Sequence, residues 1–253
     1  MKLLYLTIDI LTLAVPLLFS FHPKIGFYKT WKALFTSVLC AAVPFLIFDS
    51  IFTMHGVWSF NPGYITGICL FNLPIEELMF FICIPYSCLF TWYCLDKFYD
   101  LSWNPKVENI FCFLFSMVLL ITGIIFRQKI YTSSTFISTA ILCLLLNFAL
   151  NINWFGKSVS VFAILILPFL LVNGILTGTG LLAPVVRYSP LYNLGIRVMT
   201  IPVEDFIYGF ELFLVNLSLY LKFNKSFPLR HSYNRLPDTE SDSINNNGKY
   251  KVV

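Results

Sequence analysis

The chain has 253 residues, of which 58% are hydrophobic and only 12% charged, with a mean hydropathy of +0.78. Soluble domains carry about 25% charged residues, so this composition excludes an ordinary globular protein and predicts a polytopic membrane protein. The net charge of +4 is distributed by topology rather than gathered in a basic stripe, so no nucleic-acid partner is implied.

A membrane span needs about 20 apolar residues. Hydropathy predicts seven such helices, near 3–20, 32–52, 75–95, 108–126, 133–150, 157–176 and 203–221. The first follows Lys2 alone and lacks a small-x-small cleavage site, which makes it a retained helix rather than a signal peptide. Its Asp9 is expected to be a helix-end acid. The second helix carries Asp49 near its end, the third opens on Pro74-Ile75-Glu76-Glu77, the sixth carries Asn173, and the seventh opens on Pro202-Val203-Glu204-Asp205. Six of the seven cysteines lie in apolar stretches without metal-ligand spacing and are expected to be buried small hydrophobes. Residues 223–253, rich in Ser, Asn and Asp, read as a disordered cytoplasmic tail.

The two acidic motifs belong to a repeat. An offset of 128 superposes Pro74 on Pro202, Glu76 on Glu204, Glu77 on Asp205 and Phe80 on Tyr208. Tyr64, Gly67 and Ile68 fall on Tyr192, Gly195 and Ile196 at the same offset. Upstream, Pro44-Phe45-Leu46 leads to Asp49 as Pro168-Phe169-Leu170 leads to Asn173, at an offset of 124. The expected plan is therefore a first repeat over 1–100, a linker helix within 101–130 and a second repeat over 131–222. After four crossings the fifth helix starts on the same side as the first, so the repeats are parallel and both acidic motifs face one side. Of the 17 Lys and Arg residues, 12 fall on the side that holds the tail. The positive-inside rule then puts the N-terminus outside and the tail in the cytoplasm.

Proline and carboxylates suit the first turn of a helix, so each motif alone reads as N-terminal capping. Two copies in parallel repeats point further, because intramembrane acids are costly. Adjacent helical residues diverge by about 100°, so one acid of each pair is expected to face a central cavity; which one is open. Glu204, Tyr208 and Glu211 share a helix face. Arg187 and Arg197 precede the second motif, where they could pair with Glu204 or Asp205. Asp49 and Asn173 are even between structural and functional roles. The 27 Phe residues permit an aromatic cavity able to stabilise a carbocation, while Trp58, Trp103 and Trp154 suit the membrane interfaces. No dinucleotide fingerprint, P-loop or metal motif is present, so no cofactor or metal is implied. Paired carboxylates in apolar surroundings suit general acid–base chemistry, in which one acid holds a proton beside an ionised partner.

Gly56-Val57-Trp58-Ser59-Phe60-Asn61-Pro62, Leu73-Pro74-Ile75-Glu76-Glu77 and Ile84-Pro85-Tyr86 resemble the first half of the integral-membrane lycopene cyclases. Asn193-Leu194-Gly195-Ile196-Arg197 with Thr200-Ile201-Pro202-Val203-Glu204-Asp205 resembles the second half, and the likeness extends over roughly residues 1–222. In some members the halves are separate polypeptides. The resemblance implies cofactor-free cyclisation of the linear ψ end groups of lycopene to β-ionone rings, giving γ- or β-carotene. Glu76, Glu77, Glu204 and Asp205 would be the catalytic acids, supported by Asp49, Trp58, Asn173, Arg197, Tyr208 and Glu211. Gln at position 76 or 204 is expected to abolish cyclisation. The implied partners are a linear carotenoid and membrane lipid, with association with other carotenoid enzymes or homodimerisation left open. Two alternatives remain: a small seven-helix 3+1+3 transporter using the acids for proton coupling, or a cyclase acting on a prenylated, longer carotenoid. A scaffold whose acids only cap helices is a third.

Overall fold

The computed structural model describes residues 2–224, so the predicted tail lies almost entirely outside the described residues. Seven α-helices follow one another: α1 (Leu4–Ser20), α2 (Trp31–Met54), α3 (Ile75–Phe98), α4 (Pro105–Ile125), α5 (Ile130–Leu144), α6 (Phe155–Leu176) and α7 (Val203–Phe223). A π-helical turn, Leu145–Ala149, extends α5. Six of these helices, α5 with its π-helical extension, are long and apolar enough to cross a membrane; α1, with 17 residues, is shorter. At 1.5 Å per residue α1 spans about 26 Å. Large apolar side chains such as Leu18, Val43, Val118, Ile121 and Leu167 point outward, as a lipid-facing surface requires. The chain is an all-α membrane protein built as two parallel three-helix repeats joined by the linker helix α4.

The helices interlock across the repeats. Within each half the first helix packs on the third, α1 on α3 and α5 on α7, while α2 crosses to α7 and α6 to α3. The linker α4 starts at Pro105, is capped by the Asn104 side chain accepting from Lys106 N–H at 2.9 Å, and packs along α5. Its entry is fixed by Trp103, whose indole donates to Ser160 Oγ at 2.7 Å. Gly156 allows that approach, because a Cβ there would lie 2.6 Å from Trp103 Cγ. An ion pair buried at the far ends of α3 and α6, Lys157 with Asp96, ties the halves together, with the ammonium 5.7 Å from the Trp92 ring. Trp92, Trp154, Phe210 and Phe213 form part of the main core around it. Trp103 and Trp154 are thus packing residues of the helix bundle.

Six short strands, not anticipated from hydropathy, build the cap over the acidic helix ends. Strands β2 (Cys69–Leu70) and β3 (Leu73–Pro74) form a hairpin directly before α3; β5 (Arg197–Val198) and β6 (Ile201–Pro202) form its counterpart before α7. The first hairpin turns on Phe71 and Asn72, both with positive φ, as a type I′ turn demands. The second turns on Met199 at φ 58° and Thr200. Strand β1 (Trp58–Phe60) pairs antiparallel with β4 (Val186–Tyr188), joining the two halves. Ser59 sits opposite Arg187, its own equivalent at an offset of 128, so the pseudo-twofold axis passes through this ribbon. The crossed bonds flanking it agree: Asn61 N–H donates to Val185 O at 2.8 Å, and its equivalent Ser189 N–H to Val57 O at 2.9 Å. Cys40 and Cys69 are exposed rather than buried, the first on the outer face of α2 and the second on β2.

Candidate active site

Both acidic motifs occupy the first turns of α3 and α7, under the ribbon and hairpins. Within each pair the two acids point different ways. Glu76 is fully buried, and its Oε1 accepts from Thr66 N–H at 2.6 Å. Glu204, also fully buried, accepts from Leu194 N–H at 2.7 Å, and Thr66 and Leu194 are equivalent positions at an offset of 128. Thr132 Oγ1 also donates to Glu204, at 2.6 Å. These two acids tie the hairpin loops to the helix ends, satisfying backbone donors that would otherwise be stranded.

Glu77 and Asp205 turn inward and line a single cavity of about 450 Å³. A phenol meets each. Tyr5 OH donates to Glu77 Oε2 at 2.5 Å, and Tyr131 OH donates to Asp205 Oδ1 at 2.6 Å. Tyr5 and Tyr131 are themselves equivalent, at an offset of 126, and each takes its backbone N–H to the carbonyl of the equivalent tyrosine, Tyr64 or Tyr192. The two half-sites then diverge. A second phenol, Tyr188 from β4, lines the same cavity beside Asp205. Desolvation by burial, then the nearby Asp205 charge, raises the Tyr188 pKa above the ordinary tyrosine value, keeping the group a donor. Glu77 instead faces the buried carboxyl of Asp49, whose Oδ1 accepts from the Trp58 indole at 2.6 Å. Two carboxyl groups brought together in one apolar cavity are suited to hold one proton between them.

Of the remaining residues singled out in the sequence, Trp58, Asn173 and Tyr208 line the same cavity as Asp49. Asn173 takes the place equivalent to Asp49, so the second half-site carries an amide where the first carries an acid. Glu211 lies outside the cavity, accepting from Ser138 Oγ at 3.0 Å and Thr139 Oγ1 at 3.2 Å on α5. Arg197 is exposed and donates to Thr200 O at 2.6 Å, with its guanidinium 6.0 Å from the Tyr188 ring. Neither it nor Arg187 forms an ion pair with Glu204 or Asp205. Both arginines sit on short strands whose direction carries them to the outer surface. Asp9 is not a helix-end acid. It is fully buried inside α1, with no donor on either carboxyl oxygen.

Three phenols of the cavity escaped the sequence reading: Tyr5, Tyr131 and Tyr188. A search at the 128 offset misses the first two, because the first and fifth helices repeat at 126. Realigning Leu4-Tyr5 on Ile130-Tyr131 would have found them. Tyr188 has Phe60 as its equivalent and left no repeat signal.

Most of the cavity wall is apolar, with Phe80, Phe81, Phe162 and Phe169 among its rings. The site can therefore hold an uncharged, water-insoluble molecule against two hydrogen-bonded carboxyls on opposite repeats. The family model for lycopene cyclase matches residues 2–95 and 128–223, the two repeats without the linker. A bifunctional lycopene cyclase/phytoene synthase from Aspergillus oryzae is 24% identical over 156 residues, covering 60% of this chain and 23% of that protein. The chain thus spans about a quarter of the length of that relative. No solved structure matches it. With both repeats matched, and with one acid of each pair lining one apolar cavity at their interface, the chain belongs to the lycopene cyclase family.

Proposed function

We propose that the protein converts the linear ψ end groups of lycopene, or of a closely related carotenoid, into β-ionone rings by cofactor-free acid–base catalysis. The observation that carries this reading is the apolar cavity lined by both Glu77 and Asp205. The reaction is an isomerisation. A proton adds to the terminal double bond, the next double bond attacks the resulting tertiary cation to close a six-membered ring, and the ring cation loses a proton. Glu77, sharing a proton with Asp49, delivers the first proton. Asp205, which accepts from the Tyr131 phenol, serves in its carboxylate form to stabilise the cation and take the departing proton. The rings of Phe80, Phe81 and Tyr208 add quadrupole stabilisation of the cation. Glu76 and Glu204 position the machinery through the hairpin loops.

In this reading residues 1–100 and 131–222 act as one catalytic unit. The acids lie toward the non-cytoplasmic face, with the N-terminus outside and the C-terminus in the cytoplasm. The substrate arrives through membrane lipid. The test is pigment analysis of a lycopene-accumulating bacterium expressing this chain alone. Appearance of γ- or β-carotene supports the assignment; unchanged lycopene with the protein present in the membrane refutes lycopene as the substrate.

A further inference from the structure

The pseudo-twofold symmetry of the helices is not shared by the cavity. Along α3 the lining runs from Glu77 through Phe81, Ile84 and Cys88 to Thr91, about 21 Å at 1.5 Å per residue. The cavity is therefore a trench, with the carboxyls at one end. It opens on the seam between α1 and α6: Leu11 and Leu171 both line it, yet are 65% and 67% exposed on the outer surface of the bundle. Behind the equivalent seam, between α5 and α2, the Phe45 ring fills the space. There Phe45 packs against Tyr208 and Phe81, at centroid distances of 5.4 and 6.2 Å. The residue equivalent to Phe81 is Gly209, and the equivalent of Phe45 is Phe169. Without a side chain at 209, Phe169 lies down on α7, 4.8 Å from the Phe206 ring, with its Cε2 only 3.2 Å from where a Cβ on Gly209 would sit. One ring fewer on α7 leaves the trench; one ring more on α3 plugs its mirror image.

We infer that this seam between α1 and α6, kept open by Gly209, is the lateral entrance through which a linear polyene enters from the bilayer, end group first. The inference rests on the proposed linear carotenoid substrate and deepens it. Because the mirror seam is plugged and the acids of both repeats line one trench, a single end group occupies the site at a time. The two repeats do not each cyclise one end. A monocyclic product must leave and re-enter reversed before a second ring can form.

The pseudo-symmetry supplies its own control. Leu171→Trp and Leu11→Trp add bulk at the entrance, while Ile47→Trp adds the same bulk at the position of α2 equivalent to Leu171, where the side chain is 56% exposed. All three are apolar, outward-facing changes that leave the core packing intact. Each variant is purified from lycopene-accumulating cells. The polyene absorbance it carries is measured, and ring formation is followed over time in membranes supplied with lycopene. Leu171→Trp and Leu11→Trp should lose about tenfold in both retained polyene and rate, with Ile47→Trp matching wild type. In wild type a free monocyclic pool should precede any bicyclic product. Equal effects at 47 and 171, no polyene on the wild-type protein, or bicyclic product formed without a monocyclic pool would each overturn the inference. Wild-type protein that retains polyene with the expected variant pattern but forms no ring would leave the entrance standing and defeat the proposed reaction.

Discussion

Replacing the two adjacent acids of the first motif one at a time separates chemistry from scaffolding. Glu76 spends its Oε1 on Thr66 N–H at 2.6 Å and does not line the cavity. A Gln there keeps an acceptor oxygen of the same shape. The direct loss is the difference between a charge-assisted and a neutral hydrogen bond, about 1 kcal/mol, plus the helix-end interaction, about 0.3–1 kcal/mol. Glu76→Gln should therefore cost about 1–2 kcal/mol of stability and leave most of the cyclisation. This reverses what the sequence alone suggested for position 76, because the sequence could not say which acid faces inward. Glu77 meets Tyr5 and shares the cavity with Asp49, and under the proposed mechanism Glu77→Gln removes a proton-transfer group at the reacting end. General acid–base groups contribute about 10²–10⁴-fold, so ring formation should fall by at least about a hundredfold with little change in stability. The assay is the time course of lycopene loss in membranes, normalised to cyclase content, alongside thermal unfolding in detergent. Equal inactivation by both substitutions with unchanged unfolding, or an active Glu77→Gln enzyme, would refute the division of labour.

Three further outcomes are expected. Tyr131→Phe removes the phenol donor from Asp205 and should slow ring formation by about 10–100-fold, from about 1.5–3 kcal/mol for a hydrogen bond to a charged group; an unchanged rate would remove Asp205 from the mechanism. Asp96→Asn or Lys157→Met should cost about 3–5 kcal/mol in detergent unfolding, because each strands a buried partner, whereas Asp96→Leu combined with Lys157→Met should recover much of it. Met199→Gly relieves a left-handed backbone position and should stabilise the β5–β6 hairpin by about 1 kcal/mol, read as slower hydrogen exchange of its amides; faster exchange would contradict the turn geometry.

The seven helices, their near boundaries and the parallel repeat were legible in the sequence, because hydropathy is a local property and a parity argument needs only a count of crossings. The acidic motifs were equally legible, since carboxylates in apolar runs stand out in one dimension. Partnership was not. Tyr5 meets Glu77 across 72 residues and Tyr131 meets Asp205 across 74, and only helix rotation and crossing decide which of two adjacent side chains reaches inward. The hairpins escaped because pairs of two-residue strands carry no period to detect, and so Arg197, placed near Asp205 in the sequence, is carried outward by β5. Membrane insertion, repeat and acidic pairs thus follow from residue order alone. Tertiary packing decided that Glu77 and Asp205 share one trench, that Glu76 and Glu204 hold its lid, and that a missing ring at Gly209 opens it on one side, because each depends on contacts between segments far apart in the chain.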